Sequence, residues 1–366
     1  MKLRYKIATA SVALVAVLVA ALALVLSHTD ECPPTPQLAN GVETMKAIVY
    51  RCYGSPDVMA LEDIPKPAPA GEEVLVKVHA AAVNPYDWHH LRGSPYLLRL
   101  GTGLGSPDDV RLGADFAGIV VEVGEFVTEF QPGDEVFGGA SGAYAEYVTA
   151  SQDRIAHKPA SISFAEAASL PIAAITALQA LRDNGQLQAG EKVLINGASG
   201  GVGTYAVQIA KSMGAEVYGV CSTRNVDMVS SLGADYVFDY KKEDYTESGL
   251  EFDLVIDMVG NHSLLANRRV LAPDGRFVIV GGAKGNWIAP LIAPLKAMIM
   301  SPFVDQQMGM MIAKMNGDDL AKLADLMERG VLTSKIDRRY RLSEAADAIR
   351  YSEQGRARGK IIIDLE

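Results

Sequence analysis

The residues best suited to chemistry are seven in a row: Gly197, Ala198, Ser199, Gly200, Gly201, Val202 and Gly203. Glycines at G-x-x-G-x-x-G spacing suit an anion that must lie against backbone N–H groups. Side chains at Gly200 and Gly203 would block that approach or the contact of a helix with a strand. The flanks supply the elements such a turn needs. Val193, Leu194 and Ile195 read as a buried strand before it. Tyr205, Val207, Ile209, Ala210 and Met213 have helical spacing after it, ending at Gly214. Another apolar run at 217–220 closes a β-α-β unit, the context in which a glycine pattern points to a dinucleotide pyrophosphate.

The end of that second strand separates one dinucleotide from another. A site for NAD usually has Asp or Glu there, bonded to the ribose 2′-hydroxyl. This chain has Cys221, Ser222, Thr223 and Arg224 instead. A guanidinium suits a phosphate through paired, charge-assisted bonds, so the expectation is NADPH rather than NADH. Cys221 reads as a small buried residue.

These elements sit in a chain of 366 residues, long enough for two domains. The formal charge of -10 and the lack of any sustained basic run exclude nucleic acid as a partner. Cys32, Cys52 and Cys221 share no C-x-x-C spacing, so neither a zinc knuckle nor a disulfide framework is expected. Residues 1–31 read as a cytoplasmic tip and transmembrane anchor. Lys2, Arg4 and Lys6 precede a charge-free apolar run at 7–26, long enough to span a bilayer as a helix. A cleaved signal peptide usually has a shorter apolar region, about 7–15 residues.

The charge distribution around that span puts the body outside, in conflict with a cytosolic reduced cofactor. Three resolutions are an inverted topology, a body working in another compartment, and translation from Met45, where a natural first strand begins. The expected localisation is a single-pass membrane anchor with the side of the body open. Residues 32–44, with Pro33, Pro34 and Pro36, read as an extended linker.

From 45 to about 165 the pattern is β-like, with strands expected at 45–50, 73–82, 117–123 and 135–137. A helical stretch at 164–184, interrupted by Pro171, leads into the nucleotide unit. Strands at 235–239, 252–258 and 276–280 alternate with a helix at 263–270, indicating a parallel sheet with helices on both faces. The apolar, methionine-rich 287–315 reads as a core or dimer helix, a substrate-access element or a membrane-leaning surface. A helix at 318–330, a segment at 340–351 and a strand at 360–364 close the chain.

With VNPYDW (83–88), LGADFAGIVVEVG (112–124), FQPGDEVFG (130–138), AYAEY (143–147), NGASGGVGT, STRN and GRARGKIIIDL, residues 45–366 resemble the medium-chain dehydrogenase/reductase superfamily. The likeness is to its zinc-independent quinone oxidoreductase branch, especially relatives of the reticulon-interacting mitochondrial oxidoreductase. The resemblance implies an α/β protein with a Rossmann doubly wound sheet inserted in a GroES-like β-rich catalytic domain. The catalytic parts would be 45–168 and 306–366 and the NADP-binding part 169–305, with a homodimer formed at a sheet edge. It also implies Ser222, Arg224 and Tyr240 around the 2′-phosphate, Gly281 and Gly282 on the nicotinamide side, and Lys360 as a cofactor contact.

Zinc-dependent relatives have a cysteine where this chain has Asn84 and a histidine within the motif that here reads Gly113-Ala114-Asp115. No cysteine lies near 170–175 for a third ligand, and His89 and His90 have no partners at metal spacing. Zinc is not expected. Without a metal to polarise a carbonyl, the favoured reaction is hydride transfer from NADPH to a quinone or an α,β-unsaturated carbonyl. Asn84, Tyr86 and Asp87 are the candidate orienting groups: Asn84 for the nicotinamide or ribose, Tyr86 as a donor to the developing enolate or phenolate. The alternatives are an alcohol dehydrogenase or carbonyl reductase, and a tethered NADPH-binding scaffold without turnover.

Overall fold

The computed structural model describes residues 2–282, 285–287 and 289–365, and the side chains of all of these except 2–10, 12, 13 and 291. Glu366 and the side chains of Lys2, Arg4 and Lys6 therefore lie outside the described residues. The strands, in chain order, are β1 Thr44–Tyr50, β2 Met59–Pro65, β3 Glu73–Val83, β4 Asp115–Val123, β5 Glu135–Gly139, β6 Tyr147–Ser151, β7 Ile155–His157, β8 Lys192–Asn196, β9 Glu216–Cys221, β10 Tyr236–Asp239, β11 Phe252–Asp257, β12 Leu271–Ile279, β13 Gln307–Met310, β14 Ile336–Arg341 and β15 Lys360–Asp364.

Two sheets organise them. One has the order β10-β9-β8-β11-β12-β13, with every pairing parallel. Its central strands are buried almost end to end, as a sheet covered by helices on both faces requires. Counted from β8, the spatial order is 3-2-1-4-5-6, the doubly wound arrangement whose crevice opens where the order reverses, between β8 and β11. The second sheet runs β14-β15-β3-β4-β5-β7, with β6 also paired to β3; β1 pairs with β2 and is joined to the body by single bridges from Ala47 to Ala145 and Val49 to Arg111. This second sheet is antiparallel except for β14 with β15. The helices Phe164–Ala168 and Pro171–Gln179 lie between the sheets, and one apolar core runs from Phe137 through Leu170 and Ile175 to Ile195 and Ile256.

Three expectations need correction. The nucleotide-binding sheet takes its sixth strand at Gln307–Met310, beyond the boundary of 305, because β12 pairs with it. Cys32 and Cys52, read as unpaired, form a disulfide with Cα atoms 4.9 Å apart. Spacing along the chain gave no sign of it, since the pairing depends on how 28–44 folds back over the body.

The membrane anchor is the third correction. A helix does form at Lys2–Ser27, but among the described residues no helix is long and apolar enough to cross a membrane. The end of this helix is also folded onto the body rather than held off on a tether. Leu26 is buried, Arg99 Nη1 donates to His28 O at 2.5 Å, and Asp30 N donates to Gly105 O at 3.0 Å. The proline-rich 32–44 is held too, by the disulfide, by Thr35 Oγ1 donating to Glu62, and by Lys66 paired with Glu43.

Candidate active site

The glycine turn lies at the C-terminal end of β8 and opens the helix Gly201–Ser212. Its glycines are needed for different reasons. Gly197 has φ +94°, a left-handed conformation costly for other residues. A Cβ on Gly203 would meet Gly197 O at 2.2 Å, so this glycine lets helix and strand close together. A Cβ on Gly200 would meet only Gly197 O, at 3.4 Å, so the space beside it is open. The first backbone bond after the turn runs from Thr204 N to Gly200 O, leaving the N–H groups of Gly201, Val202 and Gly203 ahead of the helical ladder. Unpaired donors, an open approach and a helix N-terminus together fit a pyrophosphate.

Beyond β9, Ser222 is half-buried, and Arg224 is exposed with Nη2 donating to Arg356 O at 2.7 Å. Tyr240 N donates to Cys221 O, so these residues share one rim, with the Tyr240 ring exposed. Asn225, which the sequence reading passed over, braces the rim: its Nδ2 donates to Ser199 Oγ at 3.0 Å and to Ser222 Oγ at 3.3 Å. A carboxylate was also missed. Asp239 stands beside Cys221 from the neighbouring strand, and a hydrogen bond from Thr223 holds its pKa below the usual range. Cys221 is buried, and burial followed by the Asp239 charge pushes its thiol up to about 11.

Across from the glycine turn, the antiparallel sheet carries a buried polar cluster. Asn84 follows β3 and caps the helix Pro85–Arg92, where Pro85 occupies a position with no N–H to satisfy. The Asn84 amide is spent inside the protein: Nδ2 donates to Asp115 Oδ2 at 2.9 Å and Ala82 O at 3.3 Å, and Oδ1 accepts from Lys360 Nζ at 2.6 Å. Lys360 Nζ is also 3.4 Å from Asp115 Oδ2, and the other Asp115 oxygen accepts from Ile172 N. Burial raises the pKa of Asp115, opposed chiefly by the Lys360 charge. Lys360 passes directly under the turn, since a Cβ on Gly201 would meet its Cδ at 3.1 Å. Gly359 N donates to Ser199 O beside it, so the last strand is laced to the cofactor turn.

Asp87 Oδ2 accepts from Asn84 N at 2.7 Å and from Tyr144 OH at 2.8 Å. Its Oδ1 is buried without a partner among the described residues. Burial pushes this carboxyl up to about 7 against those two donors. Tyr86 stands apart from the cluster, 45% exposed, with its ring tilted against that of His90 at 3.8 Å. Burial and then the Asp87 charge raise its pKa. Gly281, with no room for a Cβ against Met258 O at 2.3 Å, lies on the far side of the crevice, and Gly282 is exposed beyond it. Asp115 reaches the site through strand pairing and Tyr144 through backbone bonds of its loop to Ile48 and Leu112, although both lie in motifs noted in the sequence.

Comparison with known proteins agrees with this arrangement. Residues 70–160 match the alcohol dehydrogenase GroES-like domain and 232–363 a zinc-binding dehydrogenase family. The 2-methylene-furan-3-one reductase of Solanum lycopersicum is 34% identical over 87% of this chain and 79% of its own. The mitochondrial NAD(P)H oxidoreductase RTN4IP1 of Homo sapiens is 32% identical over 80% of this chain and 82% of its own. The structure of the quinone oxidoreductase from Coxiella burnetii superposes with a TM-score of 0.80 at 33% identity, covering 88% of this chain and all of that one. The chain belongs to the medium-chain dehydrogenase/reductase superfamily of nicotinamide-dependent oxidoreductases.

Proposed function

We propose that the protein transfers hydride from NADPH to a quinone or an α,β-unsaturated carbonyl without zinc. The observation that carries this reading is the Lys360 ammonium between Asn84 and Asp115, directly beneath the cofactor turn. The cluster already contains a cation, and its oxygen donors are committed to it, so the residue types do not fit a catalytic zinc with three ligands and an open position. Three relatives named for quinone, enone and NAD(P)H chemistry support the same reading.

Reduced nicotinamide, when bound, supplies the hydride. The chain's own residues bind and orient it. The N–H groups of 201–203 would hold the pyrophosphate, and Ser222, Arg224 and Tyr240 the 2′-phosphate. The Lys360–Asn84–Asp115 cluster fixes the floor between the sheets, making Asn84 a positioning group rather than a direct cofactor contact. Tyr86, exposed and apart from that cluster, would pass its Oη proton to the reduced acceptor in this reading. A homodimer along β13 is part of this reading, supported by exposed Met310 and Ile312 at that free edge.

Asp239 favours a second cofactor, since a carboxylate at that rim suits a free ribose hydroxyl and NADH. Fluorescence titration of wild type and Arg224→Ala with both cofactors separates the two. We expect NADPH to bind more tightly than NADH and to lose roughly 10- to 100-fold in the variant. Equal affinities untouched by the substitution would overturn the phosphate assignment.

A further inference from the structure

Residues 28–32 are laced to the body at several points. Arg99 Nη1 donates to His28 O at 2.5 Å and to Thr29 Oγ1 at 3.3 Å. Thr29 bridges to Gly105, Asp30 N donates to Gly105 O at 3.0 Å, and Cys32 is bonded to Cys52. Arg99 is 3% exposed, and among the described residues none of its hydrogen bonds goes to a carboxylate. Its guanidinium lies over the rings of both Tyr53 and Tyr96, at 4.4 and 4.8 Å from their centroids.

Tyr96 carries the connection onward. Its N–H donates to Asn286 O at 2.7 Å, Ser94 Oγ donates to Asn286 Oδ1 at 2.8 Å, and the Tyr96 ring meets Trp287 edge-on at 4.7 Å. Asn286 and Trp287 follow Gly281 and Gly282 beyond the C-terminal end of β12, the side of a doubly wound sheet on which ligands bind.

We infer that the strap 28–32, stapled by Cys32–Cys52, holds 285–287 in place through Arg99 and Tyr96. Arg99 is then a positioning residue for the acceptor end of the cleft, and the disulfide is a redox-sensitive control on it. The coupling is physical. Loss of His28 O and Thr29 Oγ1 strands buried guanidinium donors, which recover partners only by moving toward water and off the Tyr96 ring. The disulfide keeps the strap's return local. Without it, 28–32 must find its place through non-covalent contacts alone.

The chemistry needs a dithiol reductant. Its thiolate attacks the sulfur of exposed Cys32, the S–S bond breaks, and the electron pair leaves on buried Cys52, which takes a proton. The reductant's second thiol then displaces Cys32 as a thiol and closes the reductant's own disulfide. Two electrons and two protons pass to the protein.

Amide hydrogen exchange on the full chain tests this without reference to the reaction, because Asp30 N–H reports the strap and Tyr96 N–H the contact with Asn286. With dithiothreitol, both amides should exchange about tenfold faster. Cys32→Ser should show the same rates without reductant and no further change with it. Arg99→Met should free the Tyr96 amide with the disulfide intact, and if that variant does not fold, Cys32→Ser decides. Faster exchange at Asp30 with Tyr96 unchanged would overturn the inference. The kinetic consequence, a severalfold rise in acceptor KM with kcat nearly constant, rests on the proposed reaction, whereas the exchange result does not.

Discussion

At the scale of single residues, Asp87 shows how one side chain serves two ends. Its Oδ2 closes the first turn of Pro85–Arg92 by accepting Asn84 N–H and also takes the Tyr144 hydroxyl, while Oδ1 is buried without a partner among the described residues. The carboxyl titrates at about 7 in the fold and near 3.9 in an unfolded chain. Between those values the native state holds the extra proton, so stability falls as pH rises through that window. Asp87→Asn keeps an acceptor for both donors and removes the titration. Urea unfolding from pH 4.5 to 8 should show the wild type losing stability against the variant by roughly a few kcal/mol. Parallel profiles would show that Asp87 is ionised throughout.

At the scale of elements, the β8–turn–helix unit makes a divided prediction. Gly203→Ala drives a Cβ into Gly197 O and Ala198 Cα, backbone atoms with nowhere to go. It should cost about 1–3 kcal/mol of stability as well as cofactor affinity. Gly200→Ala meets one atom at 3.4 Å, so thermal unfolding should barely change while NADPH binding weakens at least tenfold. Equal loss of stability in both variants would mean that the turn is glycine-rich for packing alone. This unit was legible in the sequence because strand, turn and helix are local patterns of period 2 and 3.6, and β3, β4 and β15 were found for the same reason. What escaped was long-range. The Cys32–Cys52 bond, the Arg99 clasp, strand β13 and the Asp239 carboxylate beside Cys221 all depend on which distant segments the fold brings together. The apolar run at 7–26 misled for a related reason: length and hydropathy suggested a span, but the docking of 28–32 onto the body is invisible to a local window.

At the scale of the whole molecule, the two sheets meet where their chemistry is shared. The catalytic sheet contributes Asn84, Asp115 and Lys360, the nucleotide sheet contributes the glycine turn, and Gly359 N to Ser199 O joins them. An internal ammonium at this junction separates the proposed hydride transfer to a conjugated acceptor from metal-assisted oxidation of an alcohol. The most direct measurement follows the hydride itself, using the full chain with NADPH deuterated at the nicotinamide C4 and an α,β-unsaturated ketone as acceptor. One deuterium should appear on the β-carbon of the saturated product, a chelator in the buffer should leave the rate unchanged, and ethanol with NADP⁺ should be inert. No turnover of enone or quinone, together with alcohol oxidation that requires added zinc, would contradict the proposed hydride transfer.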